Sequence, residues 1–284
     1  MLGVLFDGIA YGSLLFLVSL GLSVTMGLMN FVNLAHGAFA MTGGFVTVIA
    51  MTRFGVPFLA SLPLAFVITA MVGAIFERLL YRRLYTASHL DQVLFSIGLT
   101  FMSIATATYF FGSSQQPLRL PDFLRGQVRF LGADFGIYRL FLVGAVVALT
   151  TLLGFLVART RFGAQVRASV DDAQAARGLG IDVNRVFSIS FALGSGLAGL
   201  GGALGVEVLG LDSGFPLKFM VYFLLVVVVG GAGTLKGPLV AALVLGVLDV
   251  AGKYYVPQLG AFVIYAAMVL LLIAFPAGIY GRRR

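Results

Sequence analysis

From Leu140 to Ala158 the chain runs nineteen positions without a charged side chain, and a run of that kind excludes most folds. A bilayer's hydrocarbon core is about 30 Å thick and is crossed by roughly 20 apolar residues in a helix. Similar runs recur at 2–26, 34–51, 56–76, 93–111, 186–206, 219–232, 239–251 and 259–279, separated by charges, prolines and glycines. The pattern predicts an all-α membrane protein, a polytopic helical bundle of about nine transmembrane helices, with eight to ten allowed by the short runs 219–232 and 239–251. Between those two, "GGAGTLKGP" reads as a loop or as a re-entrant break. Composition agrees: 60% hydrophobic and 11% charged residues, with a mean hydropathy of +1.04, leave too little polar surface to coat a water-soluble globule. Residues 1–284 are therefore expected to form a single transmembrane domain.

The remaining charges report topology. A net charge of +8 fits Lys and Arg gathered on the cytoplasmic face better than a nucleic-acid surface, so no nucleic acid is expected as a partner. Nine spans put the termini on opposite sides. With the N-terminus outside, twelve of the 19 Lys and Arg lie inside, including Arg78, Arg82, Arg83, Arg159, Arg161 and Arg167. The segment 112–138 dissents, holding Arg119, Arg125 and Arg129 outside. The first basic residue is Arg53, unlike the basic start of a secretory signal, so the first span is expected to be retained. With no cysteine, neither disulfides nor a thiolate metal site is available.

Three segments interrupt the apolar pattern. The first, "GLMNFVNLAHGAFAMTGGF" at 27–45, sets Asn30, Asn33 and His36 at membrane depth. Polar groups there are costly unless paired or wet, which suggests the lining of a solute path or a helix break. The alternative is that an asparagine caps the second span and His36 satisfies a nearby carbonyl. His36 and His89 cannot hold a metal by themselves, and no acidic cluster stands near them. The second segment, "ALGSGLAGLGGALG", sets Gly194, Ala198 and Gly202 in one small-residue row and Ser195, Gly199 and Ala203 in the next. Its literal G-x-G-x-x-G lies inside a span rather than between a strand and a helix, so it reads as close helix packing and not a dinucleotide site. The third is the long polar stretch 158–186. There Asp171 and Asp172 suit a helix start, 173–177 favour helix, and Gly178 and Gly180 favour its end. It reads as a short helix exposed at the membrane face or as a solvated loop.

At this third segment, "RFGAQVRASVDDAQAARGLGIDVNRV" resembles the coupling loop of LivH-type permeases of branched-chain amino acid ABC transporters. "NFVNLAHGAFAMTGGF" resembles the family's second-span signature, and "VVVVGGAGTLKGPLVAALVLG" its penultimate one. The resemblance implies an ABC importer permease fold in the bacterial inner membrane, with 159–185 as a cytoplasmic coupling loop. It implies as partners a second homologous permease, two cytoplasmic ATPase subunits and a periplasmic solute-binding protein. The solute would be a branched-chain amino acid, or alternatively urea or a short amide. By the same resemblance Asp172, Ala175, Ala176 and Gly180 meet the ATPase, with Asp172 standing where related importers carry Glu. The chain has no G-x-x-x-x-G-K-[ST], so ATP and Mg are expected on the partner subunits, with no cofactor and no catalytic residue here.

Two other classes compete. A stand-alone ion-coupled carrier needs a charge at mid-membrane, for which Asp7, Glu77, Glu207 and Asp249 are the candidates. A membrane-embedded hydrolase would need His and Asp pairs that two histidines do not supply.

Overall fold

The computed structural model describes residues 1–29, 31, 33–85, 87–130, 132–231, 233–276 and 278–280. It is almost wholly helical. Among the described residues, seven helices are long and apolar enough to cross a membrane: α1 (Leu2–Met29), α2 (His36–Phe54), α3 (Phe58–Leu79), α4 (His89–Phe111), α5 (Ile137–Arg159), α8 (Val183–Leu209) and α10 (Lys236–Tyr255). Two shorter apolar helices, α9 (Phe215–Gly230) and α11 (Gly260–Ala274), complete nine. Between α5 and α8 lie two further helices, α6 (Arg161–Asp171) and α7 (Ala173–Gly178). The expected single short helix there is thus a pair. A hairpin of β1 (Gln127–Phe130) and β2 (Ala133–Gly136), which the apolar pattern does not predict, joins α4 to α5. It sets Arg129 opposite Asp134, and Arg125 pairs with Asp122 at 2.9 Å, so two of the dissenting arginines have local acidic partners.

The bundle is organised around α8, and its glycines explain why. A Cβ on Gly202 would stand 1.8 Å from the Ala40 carbonyl of α2, and one on Gly43 of α2 would stand 2.0 Å from the Gly199 carbonyl. On α1, Gly21 meets Gly194 in the same way, and on α3 Gly73 meets Ser195. Small residues therefore let α1 and α2 close directly onto the backbone of α8 and let α3 seat against its Ser195 side chain. The small-residue rows act in packing, as the sequence suggests. α3 runs antiparallel to α8, pairing Gly73 with Ser195 and Glu77 with Ser188.

Between α9 and α10, Gly231 and Gly233 both stand at positive φ, and Gly233 lies against α1. The Gly233 amide donates to the Ser23 carbonyl at 3.2 Å, and the Ser23 hydroxyl donates to the Thr234 carbonyl at 3.2 Å. The chain after α11 covers the end of α9, with the Ile279 amide donating to the Val229 carbonyl at 2.8 Å. Free carbonyls at a helix end are thereby satisfied without water.

Candidate functional site

The first polar interruption lies between α1 and α2. His36 opens α2 with its imidazole turned into the bundle, 2% exposed, where Nε2–H donates to the Val18 carbonyl of α1 at 2.8 Å. Asn33, 1% exposed, accepts at Oδ1 from the Ala35 amide at 3.0 Å and from the Tyr81 hydroxyl at 2.9 Å. Its Nδ2 has no hydrogen-bond partner among the described residues. The asparagine therefore turns the chain locally and reaches across to the 3₁₀ turn Tyr81–Leu84 at the foot of α3. Both side chains are enclosed in this conformation, and Asn30 lies outside the described residues.

The second site is the foot of the molecule, Thr160 to Asp182. Three side-chain caps shape it. The Thr160 hydroxyl accepts from the Gly163 amide at 3.1 Å and starts α6. Gly163 permits the sharp turn out of α5, since a Cβ there would stand 2.1 Å from the Val157 carbonyl. Asp172 closes α6 and opens α7, its Oδ1 accepting from the amides of Gln174 at 2.8 Å and Ala175 at 2.9 Å. Gly180 at φ +81° ends α7, with the Ile181 amide donating back to the Ala176 carbonyl at 3.1 Å in a Schellman-type stop. Asp182 then caps α8, accepting from the Arg185 amide at 3.0 Å. Of the four sequence candidates, Asp172, Ala175 and Gly180 are exposed, whereas Ala176 is 2% exposed and packs inward.

Between the two sites lies a buried carboxylate. Glu77, in the last turn of α3, accepts from the Tyr85 hydroxyl at 2.8 Å and from the Ser188 hydroxyl of α8 at 2.5 Å. An acid at a helix C-terminus opposes the helix dipole, so these two donors compensate. Burial, reinforced by the hydrogen bond and charge of Glu77, pushes the Tyr85 phenol well above its ordinary value and keeps it a donor. One turn on, Tyr81 packs its ring against Phe31, Phe95 and Phe191 while its hydroxyl reaches Asn33. Two pairs of contacts thus stand one helical turn apart, Ser188 and Tyr85 on Glu77 at the start of α8, and Tyr81 on Asn33 at the break between α1 and α2.

The other acidic residues are placed differently. Asp7 is ion-paired with Arg139, tying α1 to the start of α5. Asp249, 1% exposed, is held by Lys253 one turn away at 2.6 Å, and Glu207 is exposed. Among the described residues no group of three or more His, Cys, Asp or Glu could hold a metal ion. Among the described residues no hydrogen bond pairs a nucleophile with a base at either site. What the geometry offers is a capped foot at the start of α8 and, inside the bundle, a polar break held by Tyr81 one turn from the carboxylate that Ser188 of α8 engages.

The profile of the family described as "Branched-chain amino acid transport system / permease component" matches residues 4–272. The chain belongs to this family. The permease is 26% identical to the high-affinity branched-chain amino acid transport system permease protein BraD of Pseudomonas aeruginosa, over 98% of its own length and 95% of the relative's. It is likewise 26% identical to the permease protein LivH of the corresponding system in Escherichia coli K12, over 98% and 94%. No solved structure matches the permease.

Sequence reasoning missed three parts of this arrangement. Leu179 of the permease is 81% exposed beside Gly180, an apolar side chain at the tip of the foot. An unpaired leucine between two glycines is the signal that could have found it. Glu77 and Tyr81 read as span-end residues, and nothing local announces partners 111 and 48 positions away.

Proposed function

We propose that the chain is the membrane-spanning subunit of an ABC importer that moves branched-chain amino acids across the bacterial inner membrane. The observation that carries this reading is the similarity to BraD and LivH over nearly the full length of all three proteins. The chain itself breaks no bond in the solute. ATP and Mg are bound by two cytoplasmic ATPase subunits, a second homologous permease completes the path, and a periplasmic binding protein delivers the amino acid. The foot meets an ATPase through Asp172, Ala175, Gly180 and the exposed Leu179, with Ala176 bracing α7 from behind. When the ATPases close, the foot moves as a body and α8 with it. The Ser188–Glu77 and Tyr81–Asn33 contacts support transmission of that motion to the break at 30–36. Asn30, Asn33 and His36 belong to the route, and the unpartnered Nδ2 of Asn33 is a donor that a carboxylate or water satisfies once the helices part.

Reconstitution tests the reading. Liposomes containing this chain, its partner permease and both ATPases, with ATP inside and binding protein outside, are expected to accumulate labelled leucine. Accumulation by this chain alone under a proton or sodium gradient, with no ATP, would falsify the importer assignment.

A further inference from the structure

Asp249 and Lys253 stand one turn apart on α10, near the end of the bundle that lies away from the foot. Arg139 at the start of α5 is ion-paired with Asp7 at the start of α1, and a Cβ on Gly8 of α1 would stand 2.6 Å from the Val247 backbone of α10. The foot leaves the opposite end of α5. Asp249 is 1% exposed, and its Oδ2 accepts from the Lys253 ammonium at 2.6 Å. Its Oδ1 has no hydrogen-bond partner among the described residues. The Lys253 side chain is half exposed, with its ammonium 5.6 Å from the centre of the Tyr11 ring of α1. The Asp249 charge also reaches the phenols of Tyr11 and of Tyr222 on α9, and the Tyr222 ring lies 6.3 Å from that of Tyr265 on α11. Four helices thus converge on a buried carboxylate with one oxygen left without a donor.

An ionised group within a membrane span is costly unless it is paired or faces water, and such groups mark solute pathways. Lys253 neutralises Asp249 but does not complete its hydrogen bonding. A carboxylate accepts at both oxygens and an ammonium has three donors, so among the described residues the pair keeps an open acceptor at Oδ1 and donors to spare at Nζ. The two charges decide what suits it. A simple cation is repelled by Lys253 and a simple anion by Asp249. A molecule that carries an ammonium and a carboxylate on one carbon satisfies both ends together. Lys253 and Tyr265, both partly exposed, leave the cluster a side from which such a molecule can enter.

We infer that Asp249 and Lys253 receive the charged head of an α-amino acid at the end of the bundle opposite the foot, Asp249 Oδ1 accepting from its ammonium and Lys253 Nζ donating to its carboxylate. The inference rests on the import function proposed above, under which the solute arrives at the end away from the ATPases. Between solutes the two side chains neutralise each other, so no net charge stands in the span. The charged head is common to all α-amino acids, so this pair fixes the class of solute and leaves the choice of side chain to other walls.

The test uses the detergent-solubilised complex of this chain, its partner permease and both ATPases, without binding protein. Kd is read by saturation-transfer NMR titration for leucine, for leucinamide, which lacks the carboxylate, and for N-acetylleucine, which lacks the ammonium. Wild type is expected to prefer leucine to both. Lys253→Gln is expected to lose about tenfold or more for leucine and N-acetylleucine while leucinamide is unchanged. Asp249→Asn is expected to lose as much for leucine and leucinamide while N-acetylleucine is unchanged. Lys253→Arg, which keeps the charge, is expected to retain the preference. A pair that serves packing alone shifts the three ligands alike. That result, or equal binding of the three by wild type, or no leucine binding by wild type, overturns the site. If Asp249→Asn does not assemble, the half-exposed Lys253 still decides. A wild-type importer that accumulates leucine while both variants bind as wild type does overturns this site alone, whereas a wild-type importer that accumulates none overturns the function beneath it.

Discussion

At Gly202 the space a side chain would fill is already taken by the Ala40 carbonyl, 1.8 Å from an ideal Cβ. Gly202→Val is therefore expected to destabilise the permease by about 3 kcal/mol or more, because two backbones rather than a flexible side chain must move apart. Gly98 is the control: on α4 nothing lies within 4 Å of its Cβ, so Gly98→Ala is expected to be neutral or to stabilise by up to about 1 kcal/mol. Thermal unfolding in detergent, followed by size-exclusion chromatography, separates the two. Tyr81 tests the polar join in the same way. Tyr81→Phe keeps the ring contacts and removes the donor to Asn33 Oδ1, which still accepts from the Ala35 amide. A loss of about 1 kcal/mol is expected. If the join transmits motion, leucine uptake per ATP hydrolysed falls by more than the stability change accounts for. Uptake and hydrolysis measured on one reconstituted preparation give that ratio.

For an element as short as α7, six residues between two caps, helix propensity contributes little and the caps decide whether it forms. Asp172→Ala removes the acceptor for two amides and is expected to cost about 1 kcal/mol of local stability, with faster amide exchange at Gln174 and Ala175. Asp172→Ser restores an acceptor without charge. If Asp172 acts as a cap, the serine variant recovers solute-stimulated ATP hydrolysis. If it acts as a charge against the ATPase, serine and alanine behave alike. Leu179 caps the C-terminal end of the same element with its side chain exposed. Leu179→Asp is expected to leave the isolated permease as stable as wild type and, if the foot meets the ATPases as proposed, to weaken their capture about tenfold or more, measured by pull-down from detergent, since a charge would replace an apolar contact.

Over the whole molecule the helices divide into those enclosed by the bundle and those facing outward. α1 and α8 are buried along most of their length, whereas α4 and α5 present Phe101, Met102, Phe110, Leu152 and Phe155 to the outside. A carbene probe dissolved in the lipid phase is expected to label α4 and α5 of the isolated chain heavily and the centre of α8 hardly at all. On the proposed function, a patch on these helices that loses its labelling in the assembled importer marks the face covered by the second permease. Uniform labelling of α8 in the isolated chain would contradict the packing described here.

Hydrophobic length is a sum over contiguous residues, so the amino-acid sequence by itself determined the solvent, the spans and, through Asp172 and Gly180, the helix at the foot. Caps and turns act over three or four positions and are equally legible. What only the tertiary structure decided depends on residues distant in the chain: that Ala176 turns inward while Ala175 does not, that Gly202 rather than Gly98 cannot take a side chain, that Asn33 is held by Tyr81, and that the Tyr11 ring meets the Lys253 ammonium. In a chain dissolved in lipid, apolar side chains gain nothing by leaving one apolar environment for another, so hydrophobic pattern cannot say which helix faces pair. Close backbone approach and a few buried hydrogen bonds make that choice, and neither has a local period.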